Sequence, residues 1–315
     1  MKTSYQSEAI TIGKGTAWEL DGILTMPQGA SAEHPVPALV LVHGSGPQDK
    51  DETVGACKPF LDLADYLSSH GVAVIRYEKR TLTHGEKMME ALGNSLTVWE
   101  ETIEDAILAG VLAKADPRID PKRVFMLGHS LGGVLALRTQ AMGGDFAGLI
   151  LFAASPRLLT DIIIHQNQMV LDSMEAGPEK AAVEAQVAAL VEQIRAILEM
   201  TAEEAKEADF FGMSAYYLKD MQLHPFERYV ADTQAPILVM HGERDLQVLT
   251  DVDFAVIQEL LAGRENTEFR LYEGLNHLFM PSTAAHITEV MAEYEKPAKM
   301  DGQVLGDILA WIEAH

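Results

Sequence analysis

Gly128-His129-Ser130-Leu131-Gly132 places a hydroxyl between glycines two residues before and two residues after it, with an apolar run on each side. RVFML, residues 123–127, reads as a strand and LGGVLALRTQAM as a helix. A serine on so tight a strand-to-helix turn needs small residues at both flanking positions, because side chains there would clash. The N–H groups opening the next helix point back at the serine and favour negative charge developing beside it. In isolation the five residues say little, since a serine in a glycine-rich turn is more often a local cap. Their placement between a strand and a helix is what marks Ser130 as a nucleophile.

A serine hydroxyl attacks only when a neighbouring base takes its proton, so a histidine and an acid to orient it are required. On a strand-turn-helix scaffold these follow in the order Ser, Asp or Glu, His. ILVMHGERDLQV puts Asp245 just past a strand in a glycine-containing loop, and YEGLNHLF puts His277 past the next strand. Parallel sheets gather catalytic groups at the carboxyl ends of their strands, where all three residues are expected. Taken singly, Asp245 is equally a helix cap or a solvated acid, and His277 a hydrogen-bonded loop histidine. Their joint occurrence in the required order argues for the triad. Among competitors, Glu243 sits nearer the strand, Asp251 and Asp253 fall inside an expected helix, His241 is too close to Asp245, and His286 is expected on a later helix. His129 adjoins the serine, where in-line proton transfer is difficult.

Acyl transfer also needs donors for the oxygen that becomes negative. His43-Gly44-Ser45-Gly46-Pro47 follows the strand ALVLV and is suited to supply one backbone N–H, assigned to Ser45; Leu131 supplies the other. Gly46 is the alternative to Ser45, because a one-residue error in the turn exchanges them, and a plain Gly-Pro turn is the competing reading of the stretch. The acidic run Gln48-Asp49-Lys50-Asp51-Glu52 lacks a His or Cys partner and the spacing of a calcium loop, so it is expected to face water or cap the next element rather than hold a metal. Cys57 is expected to be a small buried side chain.

These residues must be carried by a scaffold that the rest of the chain spells out. Residues 8–26 alternate and contain Gly-Lys-Gly and Asp-Gly turn signals, which predicts antiparallel opening strands. ALVLVHG then reads as a strand buried on both faces, PFLDLADYLSSHG (59–71) as a helix with a glycine stop, VAVIRY as a strand, residues 95–115 as a helix and GLILFAAS as a strand. Between residues 156 and 232 strand signals vanish and helical stretches such as EKAAVEAQVAALVEQIRAILEM take over. Alternation resumes with APILVMHG (235–242), a helix near 250–262, the strand TEFRLY (267–272) and a last helix around GQVLGDILAWIEA. The pattern predicts one α/β core, residues 1–155 and 233–315, with a mostly parallel sheet, helices on both faces and a helical cap inserted at 156–232. Within the cap, Met169, Leu171, Met174, Phe210, Phe211, Met213, Tyr216 and Tyr217 are expected to pack between cap and core more than to wall a substrate.

The 315 residues are 48% hydrophobic, enough for a large core, and 24 Lys and Arg against 47 Asp and Glu give a formal charge of −23. Such a surface repels phosphate backbones and anionic lipids, so neither nucleic acid nor membrane is an expected partner. A single cysteine excludes an internal disulfide, MKTSYQSEAI has no apolar leader region, and a cytoplasmic location is expected; homo-oligomerisation is left open.

HGSGPQDKDE, RYEKRT at 76–81, GHSLGG, HGERDLQV and GLNHLF, in this order and spacing, resemble the α/β-hydrolase superfamily and, within it, bacterial carboxylesterases with a helical cap. The resemblance runs from about residue 8 to residue 314, and HGSGPQDKDE is its most specific part. It implies the α/β-hydrolase fold, a Ser130, Asp245, His277 triad, and hydrolysis of small-molecule carboxylic esters, often with short acyl groups, without metal or organic cofactor. RYEKRT has Glu78 where the more familiar form has Asp, a change expected to be structural. Peptidase, thioesterase and acyltransferase chemistry use the same three residues, and a non-catalytic binding homologue is the remaining rival.

Overall fold

The computed structural model describes residues 4–211 and 213–315; the side chain of Met213, expected above to pack within the cap, lies outside the described set. Strands β1 (Tyr5–Ile12) and β2 (Leu20–Pro27) form the antiparallel pair that the turn signals predict. They are followed by β3 (Val36–Val42), β4 (Ala73–Tyr77), β5 (Ile119–His129) and β6 (Leu149–Phe152). A two-residue hairpin, β7 (Asp209–Phe210) with β8 (Met213–Ser214), precedes β9 (Ile237–Gly242) and β10 (Thr267–Tyr272). The large sheet has the order β1-β2-β4-β3-β5-β6-β9-β10, parallel from β4 onward.

The helices are α1 (Pro59–Ser69), α2 (Arg80–Leu92), α3 (Glu104–Ala115), α4 (Leu131–Val134), α5 (Ala136–Thr139), α6 (Leu159–Ser173), α7 (Pro178–Glu199), α8 (Ala202–Lys206), α9 (Ala215–Leu223), α10 (Ala255–Leu260), α11 (Val290–Tyr294) and α12 (Gly302–Ala314). β3 explains the layering. Its residues alternate between two cores, Ala38, Val40 and Val42 joining α3, α5 and α10 on one face, Leu39 and Leu41 joining α1 and α12 on the other. With both faces covered, every position from Ala38 to Val42 is buried, which is why the strand reads as an unbroken apolar run.

Four elements depart from the sequence expectation. The helix expected over 95–115 becomes α3 only at Glu104, after a wide π-helical turn at Trp99–Ile103. The long helix after Ser130 is broken into α4 and α5 with a further π-helical turn at Gln140–Gly144. α2 was not expected, since it buries only Arg80 and Met88 and leaves Leu82 and Met89 exposed. β7 and β8 are too short to carry an alternating pattern.

The chain leaves the sheet after β6 and returns at β9 through α6, α7, α8 and α9. Ile194, Ile197, Phe210, Tyr217 and Met221 of this segment pack on Val98, Ile103, Leu131 and Leu135. Leu171 is buried as well and Met169, Met174 and Tyr216 are half-buried, whereas Phe211 is 71% exposed, its ring edge-on to that of Phe210.

Candidate active site

Ser130 stands between β5 and α4 with φ 51° and ψ −115°, a strained conformation for a residue carrying a Cβ. Its N–H donates to Phe152 O at 2.8 Å, tying the turn to β6. The flanking glycines are obligatory: a Cβ on Gly128 would lie 2.1 Å from Gly132 O, and one on Gly132 would lie 2.4 Å from Val42 O. Leu131 is the first residue of α4, so its N–H belongs to the helical turn that has no intrahelical acceptor.

Asp245 lies three residues past β9 and His277 five past β10. The two are joined by a 2.6 Å hydrogen bond from His277 Nδ1 to Asp245 Oδ2, both side chains being buried. The other carboxylate oxygen accepts N–H groups of Gln247 at 2.8 Å and Val248 at 3.0 Å. Burial pushes the Asp245 carboxyl up, but His277 and these donors outweigh it and hold it below the usual carboxylate range. With Nδ1 engaged, Nε2 is the nitrogen of His277 that can take a proton. Its loop is fixed by Asn276, whose Oδ1 accepts the N–H groups of Leu278 and Met280. Ser130 and His277 border one cavity.

The competing residues have other employment. Glu243 accepts the N–H of Gly274, Asp253 is paired with Arg157, and burial lowers the pKa of His241, whose ring bonds Val248 O. His286 is extended and precedes the turn Ile287–Glu289 rather than lying on a helix. Cys57 is buried beside Tyr294 O and Lys296 O. Glu78 makes an ion pair with Lys50.

On the other side of Ser130, Gly44 comes so close that a Cβ there would sit 3.2 Å from Ser130 Cβ. Ser45 borders the cavity together with Leu131, and Gly46 does not. The acidic run departs from its expectation at one residue. Asp49 caps its own loop by accepting the N–H groups of Asp51 and Thr53, and Asp51 pairs with Arg76 and Lys58. Glu52 instead is 1% exposed, with φ 51°; its Oε1 accepts Gly44 N–H at 2.8 Å and its Oε2 lies 3.0 Å from His129 Nδ1. That second contact is out of line for a hydrogen bond, so the attraction is ionic. His129 Nε2 in turn donates to His277 O at 3.0 Å. Burial pulls the His129 imidazole down, yet Glu52 outweighs it and the pKa is raised; Glu52 is held below its ordinary value by the same pairing against its own burial. Burial with a single buried partner was the signal missing from the sequence, where Glu52 looks like one more acid in a charged run.

The cavity has a volume of about 480 Å³. Leu131, Val134 and Leu278 from the core and Leu159, Ile163 and Met221 from the inserted helices make its walls largely apolar. Among the described Met and aromatic residues singled out in the cap, none contributes to them. The walls come from the first turns of α6 and from α9. Among the described residues no three His, Cys, Asp or Glu side chains converge as a metal-binding set, and no helix is long and apolar enough to cross a membrane. The arrangement offers a serine on a strained turn and an imidazole with one nitrogen fixed by a carboxylate, both at the edge of a largely apolar chamber that Ser45 and Leu131 also border. Those are the parts of an acyl-transfer centre.

Residues 39–289 match the model of the Alpha/beta hydrolase family. Over 311 residues the chain is 35% identical to the esterase EstD of Thermotoga maritima, spanning 98% of this chain and 68% of that protein. Among solved structures, Est1E from Butyrivibrio proteoclasticus is similar with a TM-score of 0.56 at 16% identity, over 97% of this chain and 99% of that one. The Pyrococcus furiosus esterase Pf2001 gives a TM-score of 0.56 at 12% identity, over 99% and 92% of the two chains.

Proposed function

Because the chain belongs to the alpha/beta hydrolase family, we propose that it is a serine carboxylesterase working through an acyl-enzyme on Ser130. The observation that carries this reading is the 2.6 Å bond between Asp245 and His277 at the edge of the cavity that Ser130 also borders. An imidazole held by a carboxylate at Nδ1 has one tautomer and one orientation, and gains basicity at Nε2 as charge develops.

In the proposed cycle His277 takes the Ser130 proton as the serine oxygen attacks the ester carbonyl. The N–H groups of Ser45 and Leu131 receive the oxyanion; donors of this kind contribute several kcal/mol each, about 3 to 4 by the loss on removing one. His277 then protonates the leaving alcohol, and a water deprotonated by the same imidazole releases the acid from Ser130. No metal or organic cofactor takes part. The apolar chamber suits a short acyl chain or an aryl group, since about 480 Å³ falls in the ordinary range of small-ligand sites.

The test is Ser130→Ala assayed with p-nitrophenyl butyrate and with a fluorophosphonate probe. Turnover and labelling should both vanish while the thermal midpoint stays within a few degrees of the parent. Retained hydrolysis would refute the assignment. Parallel assays with an amide, a thioester and an alcohol acceptor separate ester hydrolysis from the other acyl-transfer reactions of the same triad.

A further inference from the structure

Lys79 is 2% exposed, and a buried ammonium is costly unless its protons are used. It donates to Gly44 O at 2.7 Å and to Glu101 Oε1 at 2.5 Å. The other oxygen of Glu101 accepts the hydroxyl of Tyr217 at 2.5 Å. Tyr217 belongs to α9 in the inserted segment, Glu101 to the π-helical turn Trp99–Ile103, and Lys79 to the stretch that follows β4. A line of three buried polar side chains therefore joins the inserted helices to one carbonyl group beside Ser130.

The identity of that carbonyl matters. Gly44 C=O and Ser45 N–H are the two ends of the same peptide unit. A cation bonded to the oxygen draws electron density from the amide nitrogen and makes its N–H a stronger donor, an effect that a low-dielectric surrounding leaves unscreened. The unit is also held in place: Glu52 fixes the preceding peptide through Gly44 N–H, and Lys79 N–H donates to Gln48 O at 3.0 Å, closing the loop behind it. Stability alone does not account for the arrangement, because a buried ion pair is commonly no better than an apolar replacement of equal volume.

We propose that Lys79, Glu101 and Tyr217 are positioning residues for the reaction, orienting and polarising the Gly44–Ser45 peptide so that Ser45 N–H meets the oxyanion, and that Tyr217 makes this setting depend on the seating of the cap. The proposal rests on the reading of Ser130 as nucleophile and Ser45 as donor. It gives Glu78 and Lys79 a task at the reacting centre: Glu78 pairs with Lys50 and Lys79 with the carbonyl, so that two consecutive charges brace the loop from behind, while Arg80 ties the stretch to Asp105 of α3.

The experiment compares the wild type with Lys79→Met/Glu101→Gln, which removes both charges together, and with Tyr217→Phe, which removes one hydroxyl. Each is assayed with p-nitrophenyl butyrate, with a trifluoromethyl ketone that Ser130 converts to a tetrahedral oxyanion, and with a substrate-like amide that competes without reacting. The double variant should lose about tenfold to a hundredfold in kcat, with KM within about twofold. Affinity for the ketone should fall by a similar factor while affinity for the amide holds. Tyr217→Phe should show the same split at about threefold. Unchanged kcat and ketone affinity in folded variants overturn the proposal, as does a loss confined to KM or equal for ketone and amide. If the double variant does not fold, Tyr217→Phe decides alone, and wild-type values there overturn it. A wild type that neither hydrolyses the ester nor labels with a fluorophosphonate overturns the underlying nucleophile assignment instead, a result distinct from any of these.

Discussion

Glu52 and His129 form a buried ion pair, 3.0 Å apart, beside the turn that holds Ser130. Each is shifted toward its charged form, which fixes how the pair responds to pH. His129 is raised above 6.5, so its contribution is complete below 6.5 and is lost as pH rises through the raised value. Glu52 is lowered below 4.5, so its contribution is complete above 4.5 and is lost as pH falls through the lowered value. Glu52→Gln should cost about 3 kcal/mol between these limits and progressively less as pH rises through the raised value of His129. Urea unfolding of both proteins at pH 5.5 and 8.5 checks this; a gap that stays constant or widens at pH 8.5 contradicts the assignment.

Asp245→Asn keeps the shape of the Asp245 contact and removes its charge. The amide stabilises the wrong tautomer of His277, so kcat for a short-chain ester should drop by about a thousandfold or more with KM little altered. Steady-state kinetics suffice, and a loss below about tenfold would argue that another acid serves His277.

Gly132→Ala drives a methyl group to 2.4 Å from Val42 O, which only movement of α4 or β3 can relieve. The variant should lose about 3 kcal/mol and most of its activity. Gly85→Ala is the control: it lies in α2 with nothing within 4 Å of the added carbon, and should gain about 0.5 to 1 kcal/mol. Equal midpoints for the two in urea would contradict the packing argument.

His43 is pushed down to about 4, first by burial and then, against the pull of Glu52, by Lys79. The folded protein thus stays unprotonated there while the unfolded chain, near 6.5, takes up a proton. Stability from this residue is complete above pH 6.5 and is lost on descending toward pH 4, by about 3 kcal/mol over the whole interval. In His43→Gln the slope of unfolding free energy against pH should flatten between 6.5 and 4.5. Superimposable slopes would place the acid sensitivity elsewhere.

Ile163 lines the cavity from α6, and its replacement by alanine deepens an apolar wall. kcat/KM should shift toward longer acyl chains, by about one or two methylene groups, at about 0.8 kcal/mol for each methylene newly buried. A series of p-nitrophenyl esters from acetate to octanoate measures it, and an unchanged optimum would move the acyl site away from this wall.

What the sequence discloses of this site, and what it hides, divides by range. Gly128 and Gly132 disclose the Ser130 turn because their constraint is local: each lies two residues from the serine whose backbone they permit. Asp245 and His277 are legible because apolar strands announce where loops begin. Lys79 and Glu101 are not, because a charged residue is ordinarily solvated and their partnership joins positions 22 residues apart through a turn no periodicity marks. α2 escapes for the opposite reason, having almost no buried apolar face. In the inserted helices spacing identifies the apolar residues but not which of two surfaces each one meets. Tyr217 therefore reads as packing more than as substrate wall, although its hydroxyl reaches Glu101, and nothing in the spacing sets Leu159, Ile163 and Met221 apart as cavity walls.

β6 and β9 are neighbours in the sheet, with Leu149 opposite Ile237. The excursion that carries α6 to α9 thus departs and comes home on adjacent strands, and the backbone ladder beneath it is complete whatever its length. Evolution or an engineer can trade one such excursion for another as a graft, reshaping which molecules are admitted without re-solving how the scaffold folds.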